Sequence, residues 1–170
     1  MENKDDILKK LSSEDPDARK EAIEIIKTAG DISIIPALLD LLSLGQDHTT
    51  TTEVVSLLAD IKDNHFKKIL IDRIETTPDP FPKSLLLRIC WESALDFSDS
   101  AEMFARMILS EDFIVALEAA TILENMSQPA TATRKAIVHI LQNAHTGEEK
   151  QFLIDNVSVS YTHLTLPTIA

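Results

Sequence analysis

The sequence predicts an all-α fold, a right-handed α-solenoid in which antiparallel helix pairs stack as a superhelix. The first observation is an apolar register that returns every 32 to 33 residues. Ala22, Val54, Leu86 and Ala119 hold one phase of it, Ile25, Leu57, Ile89 and Ile122 a second, and Ile26, Leu58, Cys90 and Leu123 a third. The second observation is that the turns keep the same time: Asp15, Asp47, Asp79 and Asp112 each stand seven residues before the first of these positions. The third is that the 3 glycines and 7 prolines fall mostly between the apolar blocks, as helices require.

Taken in order, Ile7, Leu8 and Leu11 among Lys4, Asp5, Asp6, Lys9 and Lys10 predict a short amphipathic helix, so residues 1–12 read as an N-terminal cap. Residues 13–145 read as four repeats. In the first, Asp15 caps a helix over 16–29 with Pro16 at its first position, where the missing N–H has no intrahelical partner to lose. Ala18, Ala22, Ile25, Ile26 and Ala29 recur at helical spacing, and Gly30 is the expected stop. Asp31 or Ser33 starts the second helix, over 33–44, carrying Ile34, Ile35, Leu38, Leu41 and Leu42. Pro36 is tolerated in its first turn.

The later pairs are expected at 50–62 with 65–76, 82–95 with 99–110, and 112–126 with 130–143. Leu38, Leu70, Phe104 and Ile137 correspond in the second helices, as do Leu42, Ile74, Ile108 and Leu141. The spacing lengthens between the second and third units, which places an enlarged loop at Asp96–Ser100. The helix carrying Leu85, Leu86, Leu87, Ile89, Cys90 and Trp91 is apolar nearly all round, as an internal helix covered by both neighbours should be. Residues 146–158 start a fifth first helix, with Leu153 and Val157 in the places of Ala119 and Leu123.

Residues 11–42 resemble a HEAT repeat of the short bacterial kind also found in phycobilisome lyases. Asp15, Asp17, Arg19, Ala22, Gly30, Asp31, Ile35, Pro36, Leu38 and Leu42 occupy the positions of that pattern, whereas later units keep the apolar register and lose the Arg, Gly and Pro. The resemblance implies a HEAT/armadillo-like stack whose Arg19, Asp17 and Asp31 knit repeats together, and whose second helices line a concave face.

After Ser158 the pattern changes. Val159–Thr168 is rich in strand-favouring residues, contains the single tyrosine, and resembles one reading frame of a sequencing-library adapter. Residues 159–170 are accordingly expected to be an artefactual tail outside the stack, leaving the fifth repeat truncated.

Composition excludes several function classes. A 170-residue chain that is 44% hydrophobic can bury a core. Its 16 basic against 28 acidic residues give a net charge of -12, which disfavours nucleic acid. The charged start and the lack of a long apolar run point to a cytoplasmic protein without a membrane partner. The one cysteine forms no internal disulfide, and Cys90 shares its phase with Ile26 and Leu58, so an inert core thiol is expected rather than a nucleophile. Trp91 is expected in the core with it.

HEAT-like hydroxylases ligate iron through His-Glu pairs, but none of His48, His65, His139 and His145 precedes a glutamate. HEAT-like DNA glycosylases need a basic aromatic face; here Lys67, Lys68, Arg73, Lys83 and Arg88 stand in units that are acidic in sum. From Asp99 to Pro129 there are six acids and one base, Arg106, which reads as a solvated acidic face. The expected function is therefore a scaffold or adaptor that binds a protein partner, with no cofactor, no metal and no catalytic residue. Ser33, Ala37, Asp40, Lys68, Asp72 and Glu75 on the second helices are the expected partner contacts. The resemblance also carries alternatives, a non-catalytic or catalytic subunit of a chromophore-lyase-type enzyme or a HEAT-like DNA glycosylase.

Overall fold

The computed structural model describes residues 3–29, 32–45, 47–127, 129–143 and 146–163. All regular structure among them is helical: α1 (Lys4–Leu11), α2 (Pro16–Ala29), α3 (Ile35–Ser43), α4 (His48–Ala59), α5 (Asn64–Thr76), α6 (Pro80–Glu92), α7 (Ala101–Ser110), α8 (Phe113–Asn125), α9 (Thr131–Gln142) and α10 (Glu148–His163), with 3-10 turns before α3 and α7. This is the α-solenoid class that the register predicts. The expectations for Gly30, Asp31, His145 and residues 164–170 lie outside the described residues.

The chain divides into two compact units, Met1–Lys62 and Asp63–Ala170. The boundary falls between α4 and α5. In the first unit α1 packs on α2, and α2 and α3 both meet α4. In the second, α8 is the central element: it packs between α6 and α10 and also against α7, while α9 contacts α7 and α10.

Burial follows the register. Ala22, Val54, Leu58, Leu86, Ile89, Ala119 and Leu123 line the inner side of the first helices, and Leu38, Leu70, Phe104, Ile137, Leu42, Ile74, Ile108 and Leu141 that of the second helices. Ile25 and Ile26 are half-buried. Leu153 and Val157 are buried as their phase requires.

Helix starts depend on local chemistry that the apolar pattern only approximates. Asp15 Oδ1 accepts the Asp17 N–H at 3.0 Å, and Asp47 Oδ1 accepts those of Thr49 and Thr50 at 2.9 and 3.1 Å. That cap starts α4 two residues before the expected 50. Asp79 and Asp112 stand at the equivalent N-cap positions without a side-chain bond. The helix α6 starts at Pro80 instead of 82, because proline at the first position costs no hydrogen bond. It stops at Glu92, where Ser93 Oγ turns back to accept the Leu95 N–H at 3.1 Å. The enlarged loop follows: Asp96 takes the Ser98 N–H and hydroxyl at 2.9 and 3.0 Å, and buried Phe97 pins it down. Past α3, Gly45 takes the left-handed conformation at φ 70 that ends a helix without a Cβ clash.

The tail requires a correction. Helix α10 does not stop at Ser158 but runs to His163, and Tyr161 is buried with its hydroxyl donating to the Leu123 carbonyl at 2.7 Å. Strand propensity is worth little against burial of an aromatic ring that also satisfies a carbonyl in the last turn of α8. Among the described residues no helix is long and apolar enough to cross a membrane.

Candidate functional site

The six expected contact residues divide between the two units. In the first, Ser33 lies in the 3-10 turn, exposed, with its carbonyl accepting the Lys4 ammonium at 2.8 Å. Asp40 is exposed on α3, but Ala37 is half-buried. Asp40 shares its phase with Asp72, and by the same spacing Lys68 corresponds to Pro36, which is exposed. The outward ridge of α3 is therefore Pro36, Asp40 and Ser43, one position away from the expected Ala37. In the second unit Lys68, Asp72 and Glu75 are all exposed on α5, opposite buried Phe66, Leu70 and Ile74.

The basic residues do not assemble into one surface. Lys67 Nζ lies 3.0 Å from Asp99 Oδ2 and Arg88 Nε 2.6 Å from Glu92 Oε1. Lys83 is buried, with Nζ 2.8 Å from Glu111 Oε1. The acidic stretch is also partly engaged, since Asp99 and Glu111 meet these lysines, Glu102 pairs with Arg106 at 3.1 Å, and Glu118 accepts from Trp91.

Trp91 corrects the expectation of a core residue. It is half-buried, its indole N–H donates to Glu118 Oε2 at 2.6 Å, and the Arg88 guanidinium stands 6.0 Å from its ring centre. An indole needs a partner for its N–H, and the edge of the α6–α8 contact supplies one. Cys90 is buried as expected, with its thiol directed at the Leu86 carbonyl at 3.6 Å. Burial pushes that thiol above its ordinary range, so thiolate chemistry is suppressed.

Other shifted groups serve turns. The Thr50 hydroxyl, followed by the Thr50 and Thr49 N–H groups, holds Asp47 below the usual carboxylate value, and the Ser98 N–H and hydroxyl do the same for Asp96. Burial pushes the Tyr161 phenol up to about 12. His48, His65 and His139 are exposed on three different helices. Among the described residues no three potential metal ligands come together.

Each unit also carries a cleft beside its core. In the first unit one of about 330 Å³ is lined by Ile26, Ile34, Leu38, Leu57 and Ile61, with the Lys27–Asp60 pair, 3.7 Å apart, at its rim. In the second, one of about 260 Å³ lies among the ends of α6 and α8 and the 93–97 loop.

A family model for HEAT repeats matches residues 5–89, half of the 170-residue chain. The chain belongs to the HEAT-repeat family. No curated protein and no solved structure gives a match. Within the HEAT frame, Arg19 does what the resemblance implies: nearly buried, it donates through Nη1 to the Ser13 carbonyl at 2.7 Å and places Nε 3.3 Å from Glu53 Oε2 on the next repeat. The Nε contact is an ion pair without hydrogen-bond alignment, so the attraction there is coulombic. Asp17 is exposed in the first turn of α2.

Later HEAT repeats do not lose this cation altogether. Lys83 and Lys150 hold the phase of Arg19, and Lys150 donates to the carbonyls of Leu109, at 3.3 Å, and Glu111. The signal was visible as a cation at one phase of the first, third and fifth first helices, with Thr51 and Ala116 between. Those two uncharged positions hide the cation from a strictly periodic reading.

Proposed function

We propose that this HEAT-repeat protein is an interaction scaffold that holds a protein partner on the outward positions of its second helices. The observation that carries the reading is the division of α5 into a buried apolar side, Phe66, Leu70 and Ile74, and an exposed charged side, Lys68, Asp72 and Glu75. A repeat that needs only one side for its core leaves the other available for contact, and successive repeats present it at regular intervals. On α3 the matching exposed positions are Pro36, Asp40 and Ser43, a patch on the first unit to be tested separately from the one on the second. The mixed signs on α5 suit a partner with interspersed charges, and such rim charges act mainly on association rate and specificity.

The test is affinity capture with the tagged chain, followed by charge reversal. A partner retained by the wild type and lost with Lys68→Glu and Asp72→Lys supports the α5 patch. Retention by the doubly reversed chain, with helicity intact, discards it.

A further inference from the structure

A second surface stands out on the opposite helices of the second unit. Among its described residues the large apolar side chains left in solvent are Phe81, Phe113, Ile114, Leu117, Phe152 and Val159, and every one of these lies on the first helices α6, α8 and α10, none on α5, α7 or α9. Phe81, Leu117 and Phe152 are 57%, 42% and 68% exposed. Scattered exposed apolar side chains need no explanation, whereas a set confined to one layer of adjacent helices does. The three helices lie side by side with α8 in the middle. Phe81 and Ile114 are separated by one repeat and so share a phase on neighbouring helices, while Phe113 and Leu117 are one turn apart on α8.

Trp91 and Arg88 extend this layer along α6, with the indole tied to Glu118 of α8. Partly covered tryptophan and arginine are the residue types that anchor interfaces.

The charge around the patch is mostly negative. Asp79, Asp112 and Glu149 flank the starts of the three helices, Asp155 lies midway along α10, and Glu124 lies at the far end of α8. The described cations of these helices are committed: Lys83 to Glu111, Arg88 to Glu92, and Lys150 to two carbonyls. An apolar strip with acids at both ends complements an apolar strip bearing bases. A second copy of a chain of net charge -12 would bring acid against acid, and an anionic membrane would be repelled likewise.

We propose that the outward face of α6, α8 and α10 docks a basic amphipathic helix of a partner protein, with Phe81, Leu117 and Phe152 as its apolar contacts. Such a ligand presents its anchors at one-turn spacing, the arrangement that suits a groove between packed helices. This surface is distinct from the charged side of α5, so the two readings stand or fall separately.

The probe is a synthetic helical peptide of leucine and lysine in amphipathic register, against a scrambled peptide of the same composition. Trp91 is the only tryptophan and reports from within the face. The expected result is a blue shift of its emission on binding the amphipathic peptide. Leu117→Lys and Phe152→Ser, each checked for unchanged helicity, should weaken binding about tenfold or more. Equal binding of the scrambled peptide, or equal binding by both variants, overturns the proposal. So does a self-association, measured by sedimentation, that Leu117→Lys abolishes, or binding to zwitterionic vesicles in place of the peptide.

Discussion

Lys83 Nζ and Glu111 Oε1 stand 2.8 Å apart, joining the first turn of α6 to the residue that precedes the N-cap of α8. The ammonium is almost wholly removed from water and the carboxylate about two-thirds so. Such a pair gives modest net stability, because desolvation offsets much of the attraction, yet removal of one member leaves the other uncompensated. The backbone carbonyl of the same Glu111 accepts from Lys150 of α10, so one residue ties three successive first helices.

Glu111→Ala should therefore destabilise the fold by about 2 kcal/mol, the range for a lost hydrogen bond to a buried charge. Lys83→Met, which removes the cation and keeps the apolar stem, should cost less. Chemical denaturation of the two variants checks the order; a larger loss for Lys83→Met would show that the charge itself stabilises.

Trp91 and Glu118 form another cross-repeat contact, at 2.6 Å. Glu118→Ala should cost about 1 kcal/mol and red-shift the tryptophan emission, since the indole N–H turns from a protein acceptor to water. An unchanged spectrum would mean that the bond is not populated in solution.

The Cys90 thiol is buried and its ionisation suppressed. It should react with a thiol reagent only as fast as the second unit opens, and denaturant should raise the rate steeply. Folding holds the proton more tightly, so stability from this group is complete below the thiol's ordinary value of 9.0 and declines as pH rises above it. Rapid labelling of the native chain at neutral pH would contradict this placement.

Asp47 provides the acid-side counterpart. Its folded pKa lies below the ordinary 3.8 because the Thr50 hydroxyl and the helix N–H groups favour the carboxylate. Its contribution is complete above the ordinary value and is lost as pH falls through the folded one. Asp47→Ala should lower the unfolding midpoint at neutral pH, with the difference from wild type shrinking as pH falls below 3.8. A difference that stays constant into strong acid would refute the cap as its source.

The apolar register carried most of the fold because helix periodicity and repeat spacing are both linear along the chain: Leu70, Phe104 and Ile137 are fully buried at the positions their phase assigned. Helix ends were less legible, since they depend on which side chain reaches which N–H, as Asp47 and Ser93 show. For the interaction surface, the alternation of buried and exposed residues on α5 was readable, whereas Ala37 was placed one position off because a 3-10 turn precedes α3 and rotates its start.

By itself the sequence determined the helix pairs, the buried phases and the membership of Cys90 in the core, all of which follow from spacing along one helix at a time. Only the tertiary structure decided that Lys83 is a buried cross-repeat partner, that Trp91 sits at a surface edge bonded to Glu118, and that α10 continues through Tyr161. Those outcomes depend on contacts between residues 27 to 38 positions apart, where local propensities of a few tenths of a kcal/mol give way to burial and hydrogen bonding of about 1 kcal/mol or more.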